Sequence, residues 1–335
     1  MKNAHYNNTY NLVCMFNRAD PQIGAQYKGR PTGYKTMTFQ QFSGKNAKNI
    51  QNLTDIWAHN LQVLAGLIQY CADNNLGLRI SSDLFPLATH PVVEKFIKYQ
   101  EIREKNAPID LWLTHCADLA KNNRVRLSMH PGQFNVLESN NPETVSNSIK
   151  ELNWHGWLLD QLNCPQTPWS PINLHIHTSK GNFHDLTGRF IRGFLQLDHS
   201  VKSRMTLENN DKGGEMSMDN TPWHCENLLE FREIAMTHIG SIPLCFDNLH
   251  NWLLPSPNLS PEQCFHEFYK TWQIGRDSDQ YIPVFHHSES SDLANRVKSH
   301  ADLPSFIPTN YGKPVHWDVE LKFKDFAIRH LLALT

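Results

Sequence analysis

The sequence predicts an α/β protein, folded as a single (β/α)8 barrel over residues 1–335. Three observations predict it. Eight short runs are rich in β-branched and aromatic residues, amphipathic segments or long connections separate them, and no repeat, low-complexity tract or linker divides the chain. A length of 335 residues suits one such barrel, and a 40% hydrophobic content is enough for a sizeable core.

The strand-like runs lie at about 10–16, 77–83, 125–130, 171–177, 203–209, 241–247, 281–287 and 315–321, each bounded by Pro, Gly or polar residues. A Pro/Gly-rich stretch at 20–36 reads as a long loop after the first run. Residues 47–75 repeat apolar side chains at spacings of three and four and stop before Gly77, and 107–123, 141–163 and 221–239 behave alike. In 260–272, Ser260 reads as an N-cap, Pro261 as the first helical residue and Glu262 as an acid beside the positive helix end. Residues 324–335 form the closing helix.

Composition excludes several classes. No apolar stretch approaches the roughly 18 residues that span a bilayer, and the first residues lack a basic start followed by an apolar run, so a cytoplasmic protein is expected. With 31 Lys+Arg against 33 Asp+Glu there is no global basic field, which leaves room for a local basic groove. Seven cysteines without a CxxC pair read as reduced and buried.

The chemistry-bearing residues fall at the ends of the runs. The third ends at His130, the fourth at His175 or His177, and the fifth at Glu208. The sixth ends at Asp247 with His250 three residues on, the seventh at His286–His287, and the eighth reaches Glu320. His90 follows the second run and His300 the seventh. In a β/α barrel these ends converge on the face where active sites are built. Clustered carboxylates repel and are costly to desolvate, and bound cations remove that cost. The set is too large for one ion with four to six ligands, so two or three divalent ions are expected. Mixed nitrogen and oxygen donors without thiolate suit manganese, zinc or iron, with magnesium a further alternative.

The segments LRISSDLFPLATHP (78–91), RLSMHPGQF (126–134), LEN (207–209), FDNLH (246–250), HHS (286–288), KSHADLP (298–304) and DVELKFKD (318–325) resemble, in this order, UV damage endonucleases of the UvsE/UvdE type. The resemblance covers about residues 10–330. It implies a TIM barrel related to endonuclease IV that cuts DNA immediately 5′ of UV photoproducts and some other lesions, with a group of divalent metals in which manganese is commonly invoked. The implied metal ligands are His90, His130, His175, Glu208, Asp247, His250, His287, His300 and Glu320, with His177 as the neighbour of His175. Glu208, Glu320 and His130 would carry the catalytic centre. The family's Gln–Tyr pair, which enters the duplex at the lesion, stands here as Gln133–Phe134, retaining an aromatic face for stacking.

Lys180, Lys298, Lys322 and Lys324 are candidates for phosphate contacts. The implied partner is damaged double-stranded DNA, bound by a monomer. Two departures stand out: Phe285 occupies the position of a family lysine two residues before the histidine of the seventh run, and Leu12, with Tyr10 close by, stands for a family tyrosine. Two other functions compete. One is a sugar-isomerase-like metalloenzyme of the same barrel class, and the other is a barrel that binds damaged DNA without cutting it.

Overall fold

The computed structural model describes residues 9–17, 31–43, 47–273 and 281–334, so most of the loop predicted at 20–36 lies outside the described residues. Eight parallel strands occupy the eight predicted runs: β1 (Thr9–Val13), β2 (Gly77–Ile80), β3 (Leu127–Met129), β4 (Ile172–His175), β5 (Met205–Glu208), β6 (Leu244–Cys245), β7 (Val284–His287) and β8 (His316–Val319). Their order is β6-β5-β4-β3-β2-β1-β8-β7. The two ends meet at one parallel bridge, Asp247 with His286, where the His286 amide donates to the Phe246 carbonyl at 2.9 Å. The result is a nearly closed barrel with helices between its strands, as the sequence predicts.

Those helices are α1 (Ala47–Asp73), α2 (Ala107–Asn122), α3 (Pro142–Gln161), α4 (Phe183–Leu195), α5 (Cys225–Ile239), α6 (Pro261–Lys270) and α7 (Lys324–Ala333). Ser260 caps α6 in a capping box with Gln263, and Pro261 takes the first turn, both as expected from side-chain chemistry. Helix α4 has no counterpart among the predicted segments. It buries Phe183, Leu186, Phe190 and Phe194 along one stripe, but Gly188 and Gly193 lower its helix propensity. Gly193 is needed because a Cβ there would lie 2.8 Å from the Leu137 carbonyl oxygen.

The β7–β8 connection, residues 288–315, contains no helix. Its hold comes from buried Glu289, whose carboxylate accepts from the Ser305 amide at 2.9 and 3.0 Å and from the Ser305 hydroxyl at 2.5 Å. Leu12 and Tyr10 are both buried in the core, so neither offers an aromatic surface to a partner. All seven cysteines are unpaired, five of them buried. Among the described residues, no helix is long and apolar enough to cross a membrane.

Candidate metal centre

Glu208 ends β5 and is 1% exposed. Four imidazoles surround its carboxylate. His130 Nε2 lies 3.2 Å, His175 Nε2 3.4 Å and His286 Nδ1 3.0 Å from Oε2, while His250 Nδ1 lies 3.1 Å from Oε1. The fold explains the meeting. His175 and Glu208 are register partners at the ends of β4 and β5. Asp247 caps the short helix Asn248–Leu253 by accepting from the His250 amide at 2.6 Å, which turns His250 back over the same rim. Asn209 then clamps the Asp247 backbone, accepting at 2.8 Å and donating at 3.1 Å. Glu320 follows β8, with Oε1 3.1 Å from His286 Nδ1 and in contact with the Arg79 guanidinium.

Three overlapping groups result, each with its donor atoms within 4.8 Å of one another: His130, Glu208 and His286; His175, Glu208 and His250; Asp247, His286 and Glu320. Burial alone would raise the Glu208 pKa, but the charges of His175 and His286, with the His130 and His250 rings beside them, hold it well below the carboxylate range. Asp247 goes the other way. Burial, with Glu208 and Glu320 nearby, pushes it up to about 6 despite His250. His250 rises to about 10 because Asp247 and Glu208 outweigh its burial, whereas His175 is pushed down by burial and by the neighbouring His130 and His250 rings.

A cation fits this donor set. Glu208 Oε1, Asp247 Oδ2, His175 Nδ1 and both ring nitrogens of His286 are buried without a hydrogen-bond partner. Desolvated acceptors in that number are costly unless something positive joins them. The nitrogen–oxygen mixture is one that first-row divalent ions accept. A cleft of about 500 Å³ opens over the centre, lined by Arg79, His130, Gln133, His177, Asp211 and Lys298 among others.

Six of the residues expected from the sequence therefore come together: His130, His175, Glu208, Asp247, His250 and Glu320. The seventh run requires a correction. His286, not His287, turns into the barrel; His287 faces outward to Asn248 Oδ1 at 3.3 Å and to the rings of Phe306 and Trp317. Strand side chains alternate faces, so the position two residues before the inward histidine is Val284, while Phe285 packs outside against Phe246, Phe265 and Trp317.

His90 is not in these groups. It caps the turn at Pro91–Glu94, accepting from the Val92 amide at 3.2 Å, and stacks on Phe39. His300 stands at the rim, with Nδ1 2.5 Å from the Glu320 carbonyl and Nε2 4.0 Å from its carboxylate. His177 lies against His175 on the cleft wall, and burial pushes it down to about 4.

Gln133 and Phe134 form an exposed turn, its base held by Asn135 Nδ2 donating to the Gly132 carbonyl at 2.9 Å. Lys298 reaches the cleft but is tied to Asp211 at 3.1 Å, and Lys322 lies 3.9 Å from Asp302. Lys180 is exposed, and Lys324 is half-buried. Four further residues stand at the centre that the sequence does not single out: Arg79, Asn173, Asn209 and Asp318. The Asn173 amide donates to Glu208 Oε2 at 2.5 Å, and Asp318 lies 3.5 Å from His286 Nε2. Asp318 had a readable signal, since it sits two residues before Glu320 and so shares its strand face.

The family model described as UV-endonuclease UvdE matches residues 25–335. A UV DNA damage endonuclease of Nostoc sp. (strain PCC 7120 / SAG 25.82 / UTEX 2576) is 29% identical over 89% of this chain and 84% of its own. One from Bacillus cereus (strain Q1) is 33% identical over 84% of this chain and 78% of its own. The crystal structure of SacUVDE superposes with a TM-score of 0.75 at 23% identity, covering 98% of each chain, a likeness of fold.

Proposed function

The chain belongs to the UV-endonuclease UvdE family, and on that premise we propose that it is a DNA repair endonuclease. Its reaction is hydrolysis of the phosphodiester immediately 5′ of UV photoproducts and other lesions in double-stranded DNA. Two or three divalent ions, manganese first among them, would be held at the Glu208 centre. Residues 1–335 are taken as one catalytic domain acting as a cytoplasmic monomer. The observation that carries the proposal is the juxtaposition of three overlapping donor groups with an exposed Gln–aromatic turn on one barrel rim.

When bound, the ions would neutralise phosphoryl oxygens and make water nucleophilic at neutral pH. The chain's own residues do the rest. Glu208 is placed between two donor groups, with His130, His175, His250 and His286 around it. Arg79 restrains Glu320, and Asn209 restrains Asp247. His90 and His300 are rim candidates one step outside the three groups. Gln133 and Phe134 would enter the duplex where damage has already weakened stacking, while Lys298 and Lys180 would meet phosphates.

Incubation with Mn²⁺ and supercoiled plasmid tests the proposal. Nicking of UV-irradiated plasmid only, abolished by chelator, is expected. Retardation of irradiated plasmid without nicking would instead identify a binding protein. Neither effect would leave a different metalloenzyme chemistry.

A further inference from the structure

We propose that Asp318 is a positioning residue that orients the His286 imidazole for a cation at the Glu208 centre, an inference that rests on the metal reading of that centre. Four residues form one row across neighbouring strands. Gly77 of β2 pairs in register with Asn11 of β1, Asn11 with Asp318 of β8, and Asp318 with His286 of β7. Each inward member touches the next. The Asn11 amide donates to Asp318 Oδ1 at 2.7 Å, and Asp318 Oδ2 lies 3.5 Å from His286 Nε2. Asn11, Asp318 and His286 are each 1% exposed, so the row is closed to bulk solvent.

His286 has one nitrogen for each side. Nδ1 faces the acids, 3.0 Å from Glu208 Oε2 and 3.1 Å from Glu320 Oε1, and Nε2 faces Asp318. Nε2 has no hydrogen-bond partner, and Asp318 is the carboxylate within reach on that edge. A carboxylate there favours the tautomer with its proton on Nε2, which leaves the Nδ1 lone pair for a cation. Gly77 belongs to the same device. A Cβ at that position would stand 2.1 Å from Asn11 Oδ1, so the missing side chain makes room for the amide that holds Asp318.

Titration of Zn²⁺ into the metal-stripped full chain, followed by long-range ¹H–¹⁵N spectra of the histidines, tests this. The loaded wild type should carry the His286 proton on Nε2 with Nδ1 shifted by metal. Asp318→Asn should bind Zn²⁺ about 10- to 100-fold more weakly, with an unchanged near-ultraviolet circular dichroism spectrum before metal is added. A proton on Nδ1 in the loaded wild type, or wild-type affinity in a folded Asp318→Asn, would overturn the assignment. Should Asp318→Asn lose its native spectrum, Asn11→Ala serves instead. A several-fold loss of affinity is then expected, and an unchanged affinity overturns the role. Wild-type protein that takes up no Zn²⁺ would remove the metal reading itself, a separate result.

Discussion

Replacing Phe134 with alanine separates the DNA-facing turn from the metal centre. The ring is 82% exposed, so its loss should change folding stability by less than about 0.5 kcal/mol. An aromatic side chain offers roughly 150–250 Å² for burial. A base stacked on about half of the exposed part would remove about 80 Å² from water, worth about 2 kcal/mol at about 25 cal/mol per Å². That corresponds to about 30-fold in Kd. Fluorescence anisotropy on UV-irradiated and intact duplexes, in chelator so that no strand is cut, reads the effect directly. The loss should appear on irradiated duplex alone. An equal loss on intact DNA, or none on either, refutes the stacking argument. A clear fall in Tm would show that Phe134 anchors its loop instead.

Glu208→Gln keeps the shape but removes the charge shared by two donor groups; bound Mn²⁺ by elemental analysis should fall by at least one ion per chain, and nicking by about 100- to 1000-fold. Full metal retention would refute the central place of Glu208. Gly77→Ala forces the buried Asn11 amide aside and should cost about 1–3 kcal/mol in urea unfolding; a wild-type midpoint would contradict the crowding. His316, far from the centre and beside Trp169, is pushed down to about 3 by burial and by Arg126. Its folded pKa lies below the unfolded value of about 6.5, so the unfolded chain takes the proton first and stability falls as pH drops from 6.5 towards 3. His316→Gln should therefore lose about 1 kcal/mol less than wild type between pH 6.5 and 5.5, and parallel stability curves would exclude this.

The barrel was legible because a parallel strand buried on both faces reads as a short apolar run, and the runs are separated by helical periods. The same property hid the detail at β7. With Val284, Phe285, His286 and His287 all buried, no polar alternation tells which histidine turns inward. His130, Glu208 and Glu320 were readable because each closes or follows a strand, where the fold sets direction. His90 and His300 lie beyond strand ends, where local turns decide, and there strand position predicts less. Arg79 was masked as a charge inside a strand run, and only its partner Glu320 explains it. Helix α4 escaped because Gly188 and Gly193, the second required by its close approach to Leu137, dilute its pattern.

A thin seam of the barrel lies between β6 and β7, where Asp247 and His286 form a single bridge. Both residues also belong to one of the donor groups. Any cation lodged there acts as a clasp across this joint, drawing together segments nearly forty residues apart. Loading would then stabilise the closed ring by an amount that grows with the logarithm of free ion over its dissociation constant. Amide exchange in β6 and β7 should then slow far more on ion uptake than exchange in β2 and β3, on the opposite side of the cylinder.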